Sequence, residues 1–188
     1  MKRFGKKIAA VVLAMALMVA MAVPAFAANS PVNGNWPLGE PLHILTNANG
    51  RNECLNAFAS STITAGTQVT TFQDKTAYDA SHAFRYVRNP NTGGFAMTCD
   101  LNSSYYVGRS GAGYVEFQSP GRQSSAYTNR GNAIFNIVFM KNYGDTTGYY
   151  LKRAADLPTG YANSYRCLFD SVLSNNANTQ WYVLTYYY

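Results

Sequence analysis

His43-Ile44-Leu45-Thr46-Asn47-Ala48-Asn49-Gly50 is a short apolar run closed by a cluster of turn residues, and its Leu45 opens a pattern that recurs twice. The step from Leu45 to Leu55 is 10, and from Leu55 to Phe84 it is 29. Met97, Val107 and Phe135 repeat those intervals as 10 and 28, and Met140, Leu151 and Trp181 as 11 and 30. The middle marker advances by 52 and 44 positions and the aromatic one by 51 and 46. A period of that size marks repeated supersecondary units, none of which buries its apolar face alone. The pattern therefore predicts three similar lobes of short strands, over residues 42-93, 94-137 and 138-188.

The segments between the markers read the same way. Val69-Thr70-Thr71-Phe72 follows Gly66, Phe84 and Tyr86 alternate with Arg85, and Asn89-Pro90-Asn91 breaks that strand. Phe135, Ile137 and Phe139 define one face of a later strand, and Trp181, Val183 and Thr185 alternate at the end. Short alternating runs separated by turn signals indicate an all-β sandwich or barrel. No helical period of useful length occurs, since Ala154 to Leu157 stops at Pro158. Closure removes exposed strand edges. It requires the strand near Ile44 to pair with the one near Tyr182. Residues 28-41 hold three prolines and two glycines and read as a loop or arm rather than a strand, with Trp36 either covering an apolar opening or exposed as a ligand contact.

The segment from Met1 to Ala27 reads as a secretory signal peptide. Lys2, Arg3, Lys6 and Lys7 precede an apolar core from Ile8 to Val23, and Ala25-Phe26-Ala27 is a small-x-small cleavage site. The whole chain carries 15 basic and 9 acidic residues, a formal +6, but four of the basic ones leave with the leader. The chain from Ala28 onward holds 11 against 9, and a charge of +2 gives no general electrostatic case for nucleic acid. The expectation is a secreted protein with one domain, and no membrane insertion of the mature chain. Cys54, Cys99 and Cys167 permit one disulfide with a thiol left over, or three buried thiols.

Some of these residues resemble the ricin-type β-trefoil lectins. A lobe of that family reads Cys-Leu-Asp, then Gly-x-x-Val-x-x-aromatic, then Asn-Gln-x-Trp. Here the first lobe reads Cys54-Leu55-Asn56, Gly66-Thr67-Gln68-Val69-Thr70-Thr71-Phe72 and Ser81-His82-Ala83-Phe84. The third reads Tyr150-Leu151-Lys152, Tyr165-Arg166-Cys167-Leu168-Phe169 and Asn178-Thr179-Gln180-Trp181. The interval from Phe72 to Phe84 equals that from Phe169 to Trp181, while in the second lobe Phe117 and Phe135 stand further apart. The resemblance covers residues 42 to 187. It implies an all-β fold, a β-trefoil of three pseudo-symmetric four-stranded lobes, with the first and fourth strands of each lobe building a six-stranded barrel.

The resemblance also implies a carbohydrate site beside each set of core residues. A carboxylate accepts sugar hydroxyls, an aromatic ring stacks on the C–H-rich sugar face, and an amide both donates and accepts. The carboxylate position holds Asn56, Gly108 and Lys152, so no lobe keeps the acid. Candidate binding residues are therefore Asn56, Phe72 and nearby Asp74 in the first lobe, and Phe169, Asp170 and Asn178 in the third, with Asp170 as a displaced carboxylate. The implied function is a secreted, non-enzymatic, lectin-like protein whose partners are glycans or glycoconjugates. The alternative is a protein-binding trefoil, an inhibitor or surface-recognition factor, with degenerate sugar pockets and a Tyr-rich surface.

Other constellations carry less. Asp79, Ser81 and His82 read as a polar turn rather than a triad or metal site, because adjacency in sequence does not deliver such geometry. Gly108-Arg109-Ser110-Gly111-Ala112-Gly113 leads into a strand, so it is a hairpin loop rather than a phosphate cradle. No acid–base pair, metal-ligand set or cofactor motif stands out; no catalytic residue, metal or cofactor is expected.

Overall fold

The computed structural model describes residues 30–59, 61–73, 78–154, 164–173 and 176–186. Residues 1–29, which include the segment read above as a leader with its cleavage site, and Asp74 lie outside them. Among the described residues thirteen strands form: β1 (Ser30–Pro31), β2 (Pro41–Thr46), β3 (Glu53–Ala57), β4 (Val69–Gln73), β5 (Ala83–Arg88), β6 (Phe95–Cys99) and β7 (Tyr106–Arg109) come first. β8 (Val115–Gln118), β9 (Ser124–Gly131), β10 (Ile134–Met140), β11 (Tyr149–Arg153), β12 (Tyr165–Asp170) and β13 (Trp181–Thr185) follow. Among the described residues there is no α-helix, only two single 3₁₀ turns at Asn49–Arg51 and Ala177–Thr179.

The strands close on themselves. Following antiparallel pairings, the ring runs β2, β3, β4, β12, β11, β10, β13 and back to β2, a barrel of seven strands. The seal is the one the sequence calls for, with Ile44 opposite Val183 and Leu45 opposite Tyr182. The remaining strands branch from it. β5 and β6 extend from β2, β9 pairs along β10, β1 pairs with β13, and β7–β8 is a separate two-stranded ribbon.

This arrangement overturns the β-trefoil expectation. A trefoil keeps the second and third strands of each lobe out of a six-stranded barrel. Here the hairpins β3–β4 and β11–β12 enter the wall and meet directly, Thr70 opposite Arg166 and Thr71 opposite Tyr165. The β7–β8 hairpin of the middle segment stays outside the ring, and that segment instead builds the long β9–β10 hairpin. The unequal spacing ahead of Phe135 is the sequence trace of that difference, because β9 occupies the extra length. The ricin-type reading loses its fold argument with the trefoil.

The recurring markers nevertheless fall in the core. Leu45, Leu55, Phe84, Met97, Val107, Phe135, Leu151 and Trp181 are buried, and Met140 is half-buried. Periodicity identifies which residues face inward, not how the modules join. Trp181 also satisfies its polar atom, Nε1 donating to the Leu151 carbonyl at 3.1 Å. All three cysteines are buried, and none is joined in a disulfide.

The N-terminal arm is more than a loop. Ser30 and Pro31 lie opposite Thr185 and Leu184, and the Val32 N–H donates to the Val183 carbonyl at 2.9 Å. Pro31 is tolerated because the pairing is a short edge strand. Trp36 beyond it is buried, stacked on Tyr127 with ring centroids 4.6 Å apart and edge-on to Phe135. A buried ion pair ties the wall across two intervening strands. Arg153 of β11 donates to both carboxylate oxygens of Glu53 on β3 at 2.6 and 2.7 Å, and the Thr71 hydroxyl adds a third bond at 2.8 Å.

Candidate functional site

The β3–β4 hairpin and the turn that precedes β5 enclose a groove of about 650 Å³. In β3 the alternation that buries Leu55 turns Asn56 toward the opposite face, which it shares with Phe72 of β4, because Cys54 pairs with Phe72 and Asn56 with Thr70. Asn56 Nδ2 donates to the Thr70 hydroxyl at 3.4 Å, which sets the direction of its amide. Both Asn56 and Phe72 are half-buried and line the groove.

The opposite wall is the turn Asp79-Ala80-Ser81-His82. Asp79 Oδ1 accepts from the Ser81 N–H at 2.9 Å and from the Ser81 hydroxyl at 2.7 Å, an Asx turn of the kind short acids form locally. The Asp79 carbonyl accepts from the His82 and Ala83 N–H groups, and the Ser81 carbonyl accepts from Ala57, so the turn is bonded to β3. The Ser81 hydroxyl is thus engaged within the turn itself, with a carboxylate two residues away. His82 is buried, its ring centroid 6.3 Å from that of Phe72 at a tilt of 40°. Phe58, Leu101, Thr62 and Thr67 complete the walls.

The groove thus brings together Asn56 and Phe72, the pair expected for the first segment, with Asp79 supplying the carboxylate. Asp79 and Phe58 are absent from the binding residues that the sequence offers. The D-x-S turn at Asp79 is legible in the chain, but nothing local says that its carboxylate returns to the β3–β4 hairpin.

The third segment does not repeat the arrangement. Phe169 is only 4 % exposed and stacks on Phe139 with centroids 4.9 Å apart, so its face is already covered. Asp170 is held below the usual carboxylate range by the Val172 N–H and by Lys152, whose Nζ lies 3.2 Å away. The Asn178 N–H donates to the Asn176 side chain at 3.1 Å and opens the 3₁₀ turn. None of the three lines the groove. Among the described residues no group of three His, Cys, Asp or Glu side chains is placed to hold a metal ion.

No protein-family model matches the chain, and no curated protein matches it by sequence. Solved structures do match. A Caenorhabditis elegans protein described as having unknown function superposes with a TM-score of 0.51 at 10 % identity, over 86 % of this chain and 98 % of that one. A mosquitocidal holotoxin superposes with a TM-score of 0.55 at 10 % identity over 81 % of this chain, which spans only 18 % of the toxin chain. At that identity the likeness concerns the fold alone. Neither description assigns a ricin-type family.

Proposed function

We propose that the protein binds carbohydrate, without catalysing its turnover, through the groove between Phe72 and the Asp79 turn. One observation carries the reading: an open groove of about 650 Å³ is lined by an aromatic ring, an amide, a carboxylate and a hydroxyl. That is the set a pyranose needs, since its ring offers an apolar C–H face and a rim of hydroxyls that both donate and accept. Phe72 and Phe58 supply the stacking faces. Asp79 is pre-oriented by its bonds to Ser81 and accepts from the hydroxyl rim; Asn56 supplies both a donor and an acceptor. Affinity per site is weak in an open groove and is recovered by clustering on a multivalent surface. The basic, apolar, small-residue leader supports export to where such glycans are displayed.

The test is a glycan array probed with the wild-type protein and with Phe72→Ala and Asp79→Asn. The expected result is saturable binding to a restricted group of glycans, weakened roughly tenfold by loss of the stacking ring. Absence of binding on a dense array refutes the reading. Undiminished binding by both variants moves the contact off this groove.

A further inference from the structure

A second cavity, of about 520 Å³, shares no lining residue with the groove. Arg109 at the end of β7, Arg122 in the β8–β9 connection and Lys141 just after β10 all line it, and no carboxylate does. Among the described residues, none of the three cations is in ion-pair contact with an acid. Two acids border the cavity without lining it, each bonded to a lining residue: Glu116 accepts from Gln118 at 3.1 Å, and Asp145 accepts from the Asn142 backbone at 2.8 Å. Like charges that converge on one concave wall repel one another, and each raises the local potential for an anion.

Part of this wall is held rather than loosely displayed. The Arg109 guanidinium stacks over the Tyr149 ring, 4.5 Å from its centroid, and Nε donates to the Phe169 carbonyl at 3.5 Å. Stacking fixes the plane of the fork, so less freedom is lost when it binds. Gln118 Nε2 donates to the Arg109 carbonyl at 2.9 Å and lies across Gly108, where a Cβ would collide with its amide. Gln123 is buried and donates to the Ser119 carbonyl at 3.0 Å. Two amides with fixed directions therefore stand beside three cations.

We infer that this pocket binds a tetrahedral oxyanion, a sulfate or phosphate ester carried on a small polar ligand. Three cations exceed what one carboxylate neutralises. Guanidinium forks match the paired oxygens of such esters, and the amides meet the hydroxyls of the group that carries them. The ligand class differs from the neutral sugar of the groove, and the two sites stand or fall separately.

Calorimetric titration of the protein with sodium sulfate, sodium phosphate and sodium acetate at matched ionic strength tests it. Sulfate or phosphate binds saturably and acetate does not. Arg122→Gln with Lys141→Gln, two exposed side chains whose loss leaves the near-UV spectrum intact, weakens binding about tenfold or more. Arg109→Gln weakens it as well, and Phe72→Ala leaves it unchanged. Phosphate binding that strengthens as pH rises through the second ionisation of inorganic phosphate marks the dianion as the bound form, while sulfate binding stays independent of pH. Lack of saturable heat with either oxyanion, equal affinity for acetate, wild-type affinity in the double variant, or loss in Phe72→Ala each overturns the inference.

Discussion

Single residues set both the acid sensitivity and the internal bracing of this barrel. His43 lies on β2, 1 % exposed and stacked on Tyr186 with centroids 4.7 Å apart. Burial lowers its pKa from 6.5 to about 4, because the charged ring loses its hydration there. Below about pH 6.5 the unfolded chain takes up a proton that the folded one refuses. Stability from this group is therefore complete above that pH and falls by about 3 kcal/mol as pH drops toward 4. Denaturant titrations across this range should show the slope in the wild type and a flatter profile in His43→Phe; identical profiles would remove His43 as the cause. Arg153→Met leaves the Glu53 carboxylate buried without its cation and should cost about 3–5 kcal/mol, much of it recovered when Glu53→Met is added. A single-variant loss no larger than that of an exposed pair would show that the bracing is unimportant. Asp79 is the residue-scale lesson about reading a site: its Asx turn follows from its own neighbours, but its place opposite Phe72 depends on the Ala57–Ser81 bond, which no local signal encodes.

At the scale of elements, β13 seals the ring. It pairs with β2 along its whole length, with β10 through Trp181 and Tyr182, and with the β1 strap through Leu184 and Thr185. Trp181 and Val183 are fully buried. A chain ending at Gln180 opens the ring and uncovers the edges of β2 and β10. It should lack near-UV circular dichroism and a cooperative unfolding transition altogether; a native-like spectrum would show that closure is dispensable. The strands themselves are readable because alternation buries one face of each: Phe84 and Tyr86 in β5, Phe135 and Phe139 in β10, Trp181 and Val183 in β13. Which hairpins enter the wall is not. The β4–β12 junction joins Thr70 and Thr71 to Arg166 and Tyr165, and Thr, Arg and Tyr fit an edge and an interior pairing equally well. The β9–β10 turn is a similar case. Asn132 and Ala133 both adopt positive φ, 54° and 59°, the conformation a tight hairpin needs. Asn announces it and Ala hides it, so the bare sequence presents this hairpin as the end of a lobe.

For the whole molecule, a threefold sequence pattern coexists with a seven-stranded wall. Repeated spacing of core residues constrains burial, and several closures satisfy the same burial. Leu55, Phe84, Val107, Phe135, Leu151 and Trp181 are all in one apolar core although the modules that carry them are arranged unequally. The candidate site follows the same logic: the first segment assembles Asn56 and Phe72 on one groove, whereas the third spends Phe169 on core packing against Phe139. The groove proposed to bind sugar therefore lies in the first segment, and Phe169, Asp170 and Asn178 of the third do not repeat it. The most direct test is an NMR titration of the isotope-labelled protein with the best glycan from the array. Shift changes confined to the amides of Asn56, Phe72, Ser81 and His82 are predicted. Changes centred on Asp170 and Asn178, or no perturbation around Phe72 at saturating ligand, would contradict the account.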